Sequence, residues 1–270
     1  MNLRFCEFLP AYSTWAVLGL VATTELASCR REVVTPVPVV DYFPVAIGSY
    51  RTYAVADSTW TNRVVTVSTY QLRERVSEQF TDAAGQPAYR LVRSKRAAAG
   101  AAWVDDSVFV VQVLPRAVLL TRNNVRTVEL VYPLQAGKAW NATAFTVNTQ
   151  TTGVRDSIIN LTRAYGPAVG TPYTTPAVGG QGAKSYPATV RTYATLPAQP
   201  PATLGVPDNN AFYQRGLQQV YALGVGLVQR RRFSYYTYTT NPSNGRQDAT
   251  PGVVQNGIAR FETLVETGTI

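Results

Sequence analysis

Arg63-Val64-Val65-Thr66-Val67-Ser68-Thr69-Tyr70-Gln71-Leu72-Arg73-Glu74-Arg75-Val76 reads as a β-strand. Val and Thr fill its first half, and their branched side chains suit a pleated, half-buried surface. Tyr70, Leu72 and Val76 recur at period two and so share one face. Glu74 falls on that same face, a carboxylate among apolar neighbours. The turn signal Asp82-Ala83-Ala84-Gly85 follows, and residues 87–96 (PAYRLVRSKR) read as the returning strand.

The same pattern extends in both directions. Residues 97–102 form a loop tip, and 103–113 are the next strand. Residues 117–122 and 125–132 flank Asn123-Asn124, a two-residue hairpin turn because Asn tolerates positive φ. Residues 134–140 read as a loop closing on Trp140. Val154, Ile158, Leu161 and Tyr165 recur at helical spacing, although Ile158-Ile159 fits a strand equally well. Residues 166–184 (GPAVGTPYTTPAVGGQGAK) read as a Pro/Gly-rich loop. Strand patterning resumes over 185–195 and is interrupted by prolines over 196–210. Residues 212–240 read as one long strand, or two joined by a kink at Gly224-Val225-Gly226, and 253–265 as the final strand. The predicted fold is mainly β: a single antiparallel curved sheet or half-open barrel with at most one or two short helices, the alternative being a β-sandwich. With 16 Tyr and 9 Phe in 270 residues, the composition agrees.

Upstream of this domain the chain carries an address. Residues 15–24 (WAVLGLVATT) are apolar but shorter than the roughly 20 residues that a membrane span needs. That length suits the hydrophobic core of a signal peptide. Leu26-Ala27-Ser28-Cys29 then resembles the bacterial lipobox, which implies lipid attachment at Cys29; ordinary cleaved secretion and an uncleaved anchor are the alternatives. Residues 1–29 are thus expected to be a lipoprotein signal peptide, 30–41 (RREVVTPVPVVD) an extended tether, and 42–270 a single β-rich domain. Pro36 and Pro38 favour a polyproline II tether reaching roughly 35 Å. The expected location is exported and anchored by lipid to the outer membrane, on its periplasmic or cell-surface face.

Two further stretches carry a family resemblance. Residues 42–53 (YFPVAIGSYRTY) look like the opening of many uncharacterised bacteroidete lipoproteins. Residues 220–228 (VYALGVGLV) look like a strand of such proteins and of lipoprotein-carrier-like half-barrels. The resemblance implies a curved sheet and no assigned chemistry.

Composition narrows the chemistry. The chain has no His, and its two Cys are Cys6 and Cys29. Nucleophile–His pairs and His-based zinc sites are therefore excluded. With Cys6 removed and Cys29 acylated, no thiol is left for a disulfide or a metal. No catalytic residue, metal site or cofactor is expected. Gly179-Gly180-Gln181-Gly182-Ala183-Lys184-Ser185 resembles a phosphate loop but has Ala183 where the glycine before the lysine belongs. Gly224-Val225-Gly226 lacks the third glycine of a dinucleotide fingerprint. Asp105-Asp106 would face opposite sides of a strand. Paired carboxylates from distant strands leave a carboxylate-based hydrolase as the one enzymatic alternative.

The net charge is +9, carried almost wholly by Arg because Lys95, Lys138 and Lys184 are the only lysines. Export argues against a nucleic-acid partner. Residues 230–238 (RRRFSYYTY) put Arg230, Arg232, Ser234, Tyr236 and Tyr238 on one strand face, and Arg231, Phe233, Tyr235 and Thr237 on the other. The candidate ligand patch is Arg230, Arg232, Tyr236 and Tyr238, suited to an anionic glycan or lipid headgroup. The expected function is a non-catalytic cell-envelope lipoprotein that binds a hydrophobic or lipid-like ligand, or a partner, on the concave face. The alternatives are a glycan-binding accessory protein and a structural or assembly component. The expected partners are the membrane through the lipid anchor, and a lipid, a glycan or an envelope protein.

Overall fold

The computed structural model describes residues 41–145, 162–195, 213–250 and 252–270. The lipobox Leu26-Ala27-Ser28-Cys29, the tether before Asp41 and most of the helix candidate lie outside them. Its strands are β1 (Ser49–Thr61), β2 (Val64–Thr81), β3 (Pro87–Arg96), β4 (Val104–Leu114), β5 (Ala117–Arg122), β6 (Val125–Val131) and β7 (Ala139–Asn141). They continue with β8 (Thr162–Thr175), β9 (Lys184–Thr195), β10 (Tyr213–Ala222), β11 (Gly226–Tyr236), β12 (Tyr238–Thr240), β13 (Gln247–Ala249) and β14 (Asn256–Thr269). The described residues contain no helix.

One antiparallel 12-stranded sheet runs in the order β6-β5-β4-β3-β2-β1-β14-β11-β10-β9-β8-β7, and β12 pairs with β13 in a small separate sheet. The large sheet curls until it nearly closes into a barrel. Its two edge strands meet at a seam fastened mainly by side chains. One backbone bond crosses, Val128 N–H to Ala142 O at 2.8 Å. The Trp140 indole N–H donates to Val128 O at 3.0 Å. The Tyr165 hydroxyl accepts from Val131 N–H and donates to Val131 O, both at 2.8 Å. Trp140 and Tyr165 pack at 4.7 Å between ring centroids.

Local chemistry explains the turns. Asn123 and Asn124 have φ of 48° and 61°, as a two-residue hairpin requires. Asn62 and Arg63 do the same at 50° and 69°, so Arg63 belongs to a turn and not to the strand that its sequence suggests. That turn is held by Arg63 N–H to Gln255 O at 2.9 Å. It is also held by Asn62 N–H to Asn256 Oδ1 at 3.0 Å.

Three sequence expectations need correction. Gly224-Val225-Gly226 is no kink: the chain reverses there, and β10 pairs antiparallel with β11. Gly224 and Gly226 supply φ of 71° and 96° at the reversal. Apolar residues on both sides hide this turn in the sequence. Residues 166–184 are not one loop but much of a β8–β9 hairpin. Three register shifts absorb its prolines and glycines. The part of the helix candidate that is described, Thr162–Tyr165, lies in β8.

The barrel has two ends, marked by Gly48, just before β1, and by Trp60, near the end of β1. The Gly48 end is closed by the segment before β1. Phe43 is buried and lies 6.2 Å from Tyr221. Gly224 N–H donates to Asp41 O at 2.8 Å. Arg51 donates from Nε to Val225 O at 2.6 Å and from its second terminal nitrogen to Pro44 O at 2.5 Å. The Tyr53 hydroxyl donates to Leu227 O at 3.1 Å. The two family-like stretches, 42–53 and 220–228, therefore interlock. A Cβ on Gly226 would sit 2.9 Å from Arg51 Nε, so a larger residue there crowds Arg51.

Candidate functional site

The Arg230–Tyr238 run divides between two strand faces as the sequence predicts, but the patch face turns into the core at Arg230. Arg230 points into the barrel and is buried. It stands opposite Glu262 on β14 and donates to its carboxylate at 2.6 Å. That partner lies 32 residues away in sequence, so its effect on Arg230 is invisible locally. Arg232 is exposed near the barrel mouth at the Trp60 end. Tyr236 is exposed on the last residue of β11, and Tyr238 begins β12 beyond a break at Thr237. The predicted patch of Arg230, Arg232, Tyr236 and Tyr238 is thus not brought together as one surface, because its first member is a core residue.

The other face of the same run, which carries none of the predicted patch residues, forms a surface of its own. Cross-strand register places Val65, Trp60, Gly257 and Tyr235 in one row over β2-β1-β14-β11. Val67, Ser58, Ala259 and Phe233 form a parallel row two residues away on the same face. Trp60 meets Tyr235 edge-on at 5.1 Å, and Tyr235 stacks on Phe233 at 5.0 Å. The Arg231 guanidinium lies over Phe233 at 5.0 Å and over Phe261 at 5.2 Å. Val65, Val67 and Phe261 are exposed. Gly257 makes the row continuous: a Cβ there would lie 2.9 Å from Tyr235 Cδ1. The result is an aromatic shelf with a guanidinium at its edge.

Below the shelf, the inner face at the mouth carries a polar cluster. Arg260 grips Asp57 through two bonds at 2.7 and 2.8 Å, and the Tyr70 hydroxyl donates to Asp57 at 2.9 Å. Lys95 Nζ sits 4.1 Å from the Tyr70 ring centroid. Burial pushes the Asp57 carboxyl up, but the hydrogen bonds from Arg260 and Tyr70 prevail and hold it below its ordinary value.

Deeper still, the interior is a belt of ion pairs. Arg93 bonds Glu74. Arg163 grips Glu129 at 2.6 and 3.2 Å. Glu129 also accepts from Thr127 at 2.8 Å, Gln219 at 3.1 Å and Tyr221 at 3.2 Å. Glu74 is thus the predicted carboxylate on an apolar face, satisfied by a partner on β3. A register shift at Val76/Glu78 sends Glu78 outward, where it pairs with Arg90. Burial alone would raise the Glu74 carboxyl, but Arg93, Arg230 and Arg122 outweigh it and bring it down to about 2. Glu129 is likewise held well below its ordinary value, burial being overcome by Arg163 and Arg122. A general acid needs the opposite shift.

The remaining candidates are placed as follows. Asp105 accepts from Ser94 at 2.7 Å and Asp106 from Ser107 at 3.0 Å. Gly179 and Gly180 form the tip of the β8–β9 hairpin, with Val178 bridged to Gln181, so the strand–loop–helix frame of a phosphate loop is missing. Among the described residues, no group of three or more His, Cys, Asp or Glu is placed to hold a metal. Compared with protein-family models, with curated proteins and with solved structures, the chain finds no match.

Proposed function

We propose that the chain is a non-catalytic, lipid-anchored protein of the cell envelope, and that its barrel binds an acidic glycan on the shelf of Trp60, Phe233, Tyr235 and Phe261. The observation that carries this reading is the shelf with Arg231 at its edge. Aromatic faces stack against the C–H face of a sugar ring, and a guanidinium fork matches a carboxylate. Position supports it. Asp41 bonds to the reversal at the Gly48 end, while the shelf stands near the end of β1, roughly 35 Å away by strand rise. Asp41 and the shelf therefore lie toward opposite ends of the barrel. The interior ion pairs favour a scaffold role, since they hold Glu74 and Glu129 ionised.

The test is retention of the mature lipoprotein on immobilised acidic polysaccharide. Trp60→Ala with Tyr235→Ala should abolish retention and leave the melting curve nearly unchanged; undiminished retention overturns the proposal. Acylation is tested separately, by fatty-acid labelling that Cys29→Ser should remove. A second reading, a lipid-like ligand on the concave face, rests on the resemblance to half-barrels. The described interior has a cavity of about 10 Å³ lined partly by charged groups. A lipid-like ligand would thus need the β6–β7 seam to part. Mass spectrometry of material co-purified from native membranes tests it, and an absent ligand counts against it.

A further inference from the structure

The cavity of about 10 Å³ is bordered by Arg51, Glu74, Arg122, Glu129, Tyr221 and Arg230, among others. That is room for one water or one monatomic ion. The charge around it is unbalanced. Glu74, Glu129 and Glu262 are each taken by one guanidinium, those of Arg93, Arg163 and Arg230. Arg51 gives its hydrogen bonds to the carbonyls of Pro44 and Val225.

Arg122 is left over. Its Nε is buried without a hydrogen-bond partner among the described residues. Its close aromatic neighbour is Phe109, whose ring centroid is 4.8 Å away. The Nε atoms of Arg93, Arg163 and Arg230 lack acceptors too, but each of those side chains reaches a carboxylate through a terminal nitrogen. Burial and the charge of Arg230 pull Arg122 down to about 10, which still leaves it cationic at neutral pH. Arg122 is a partly buried cation whose buried Nε–H meets no acceptor; such a donor is costly, and a counter-charge beside it removes that cost.

We propose that this cavity is a binding site for one monovalent anion of halide size, held between Arg122 and Arg230. The two carboxylates on its wall do not bar the anion, because each is already neutralised by its own guanidinium. Polyatomic anions such as sulfate are too large for the space.

Bromide is the probe. Crystals of the full chain in sodium bromide should show an anomalous peak within hydrogen-bonding distance of the Arg122 guanidinium. In solution, at constant ionic strength, replacing gluconate with bromide should raise the wild-type melting temperature in proportion to the logarithm of bromide concentration. Arg122→Gln should flatten that dependence. A water without anomalous signal in the cavity, or a wild-type melting temperature indifferent to bromide, overturns the site. So does a bromide dependence that survives in Arg122→Gln. If that variant fails to fold, the wild-type titration and the anomalous map decide the question by themselves.

Discussion

At the Gly48 end of the barrel, the strand ends are covered by their own chain: Phe43 fills the opening, and Arg51 ties Pro44 to Val225. At the Trp60 end, β2 runs on with residues 64–69 exposed on both faces. Nothing among the described residues caps the shelf there. At the first end Arg51 and Tyr53 hydrogen-bond the chain's own carbonyls, and Gly48 and Gly226 are fixed by close contact. The second has aromatic rings packed against one another, against Gly257 and against Arg231. Under the proposed glycan-binding role, stability and binding lie at opposite ends of the same strands, and substitutions at each end should separate them.

Phe43→Ala should have the largest effect, a loss of about 3–5 kcal/mol, because it empties a buried ring site; denaturant unfolding measures it. Acid should come next, because it attacks the ion-pair belt between the two ends. The folded Glu74 carboxyl lies at about 2 against an ordinary 4.5. Its contribution is complete above about 4.5 and is lost as pH falls through about 2. Melting temperature should therefore drop over that window, and Glu74→Gln with Arg93→Met should blunt the drop. Gly226→Ala should cost about 1–3 kcal/mol, from a positive φ and a crowded Arg51. Trp60→Ala should change stability by no more than about 1 kcal/mol, the scale of an aromatic pair. Yet it should eliminate polysaccharide retention. A large stability loss in Trp60→Ala, or none in Phe43→Ala, would break the division between the ends.

The strand content was legible because period-two patterning is local. Pro87–Arg96 is β3 with the predicted limits, and Asn123-Asn124 is the predicted turn. What escaped detection depended on partners far along the chain. Alternation in Arg230–Tyr238 separates two faces correctly, but which face is inside depends on Glu262 standing opposite Arg230. An arginine is ordinarily read as exposed, and only a buried carboxylate reverses that. The same holds for Arg163 and Glu129, paired across 34 residues. Trp60 gave no local signal either, since its row with Tyr235 exists only after β1, β14 and β11 come together.

The seam has one more consequence. Around a barrel, each pair of strands has an offset, and their sum determines how steeply the strands wind. Along a continuous ladder, that offset could slip by two residues and still satisfy the backbone. At the β6 seam slippage is blocked, because the Tyr165 hydroxyl fits Val131, the Trp140 indole fits Val128, and Arg163 fits Glu129. These three side chains act as a key that admits a single pitch. The winding of the whole sheet is therefore set at its one joint.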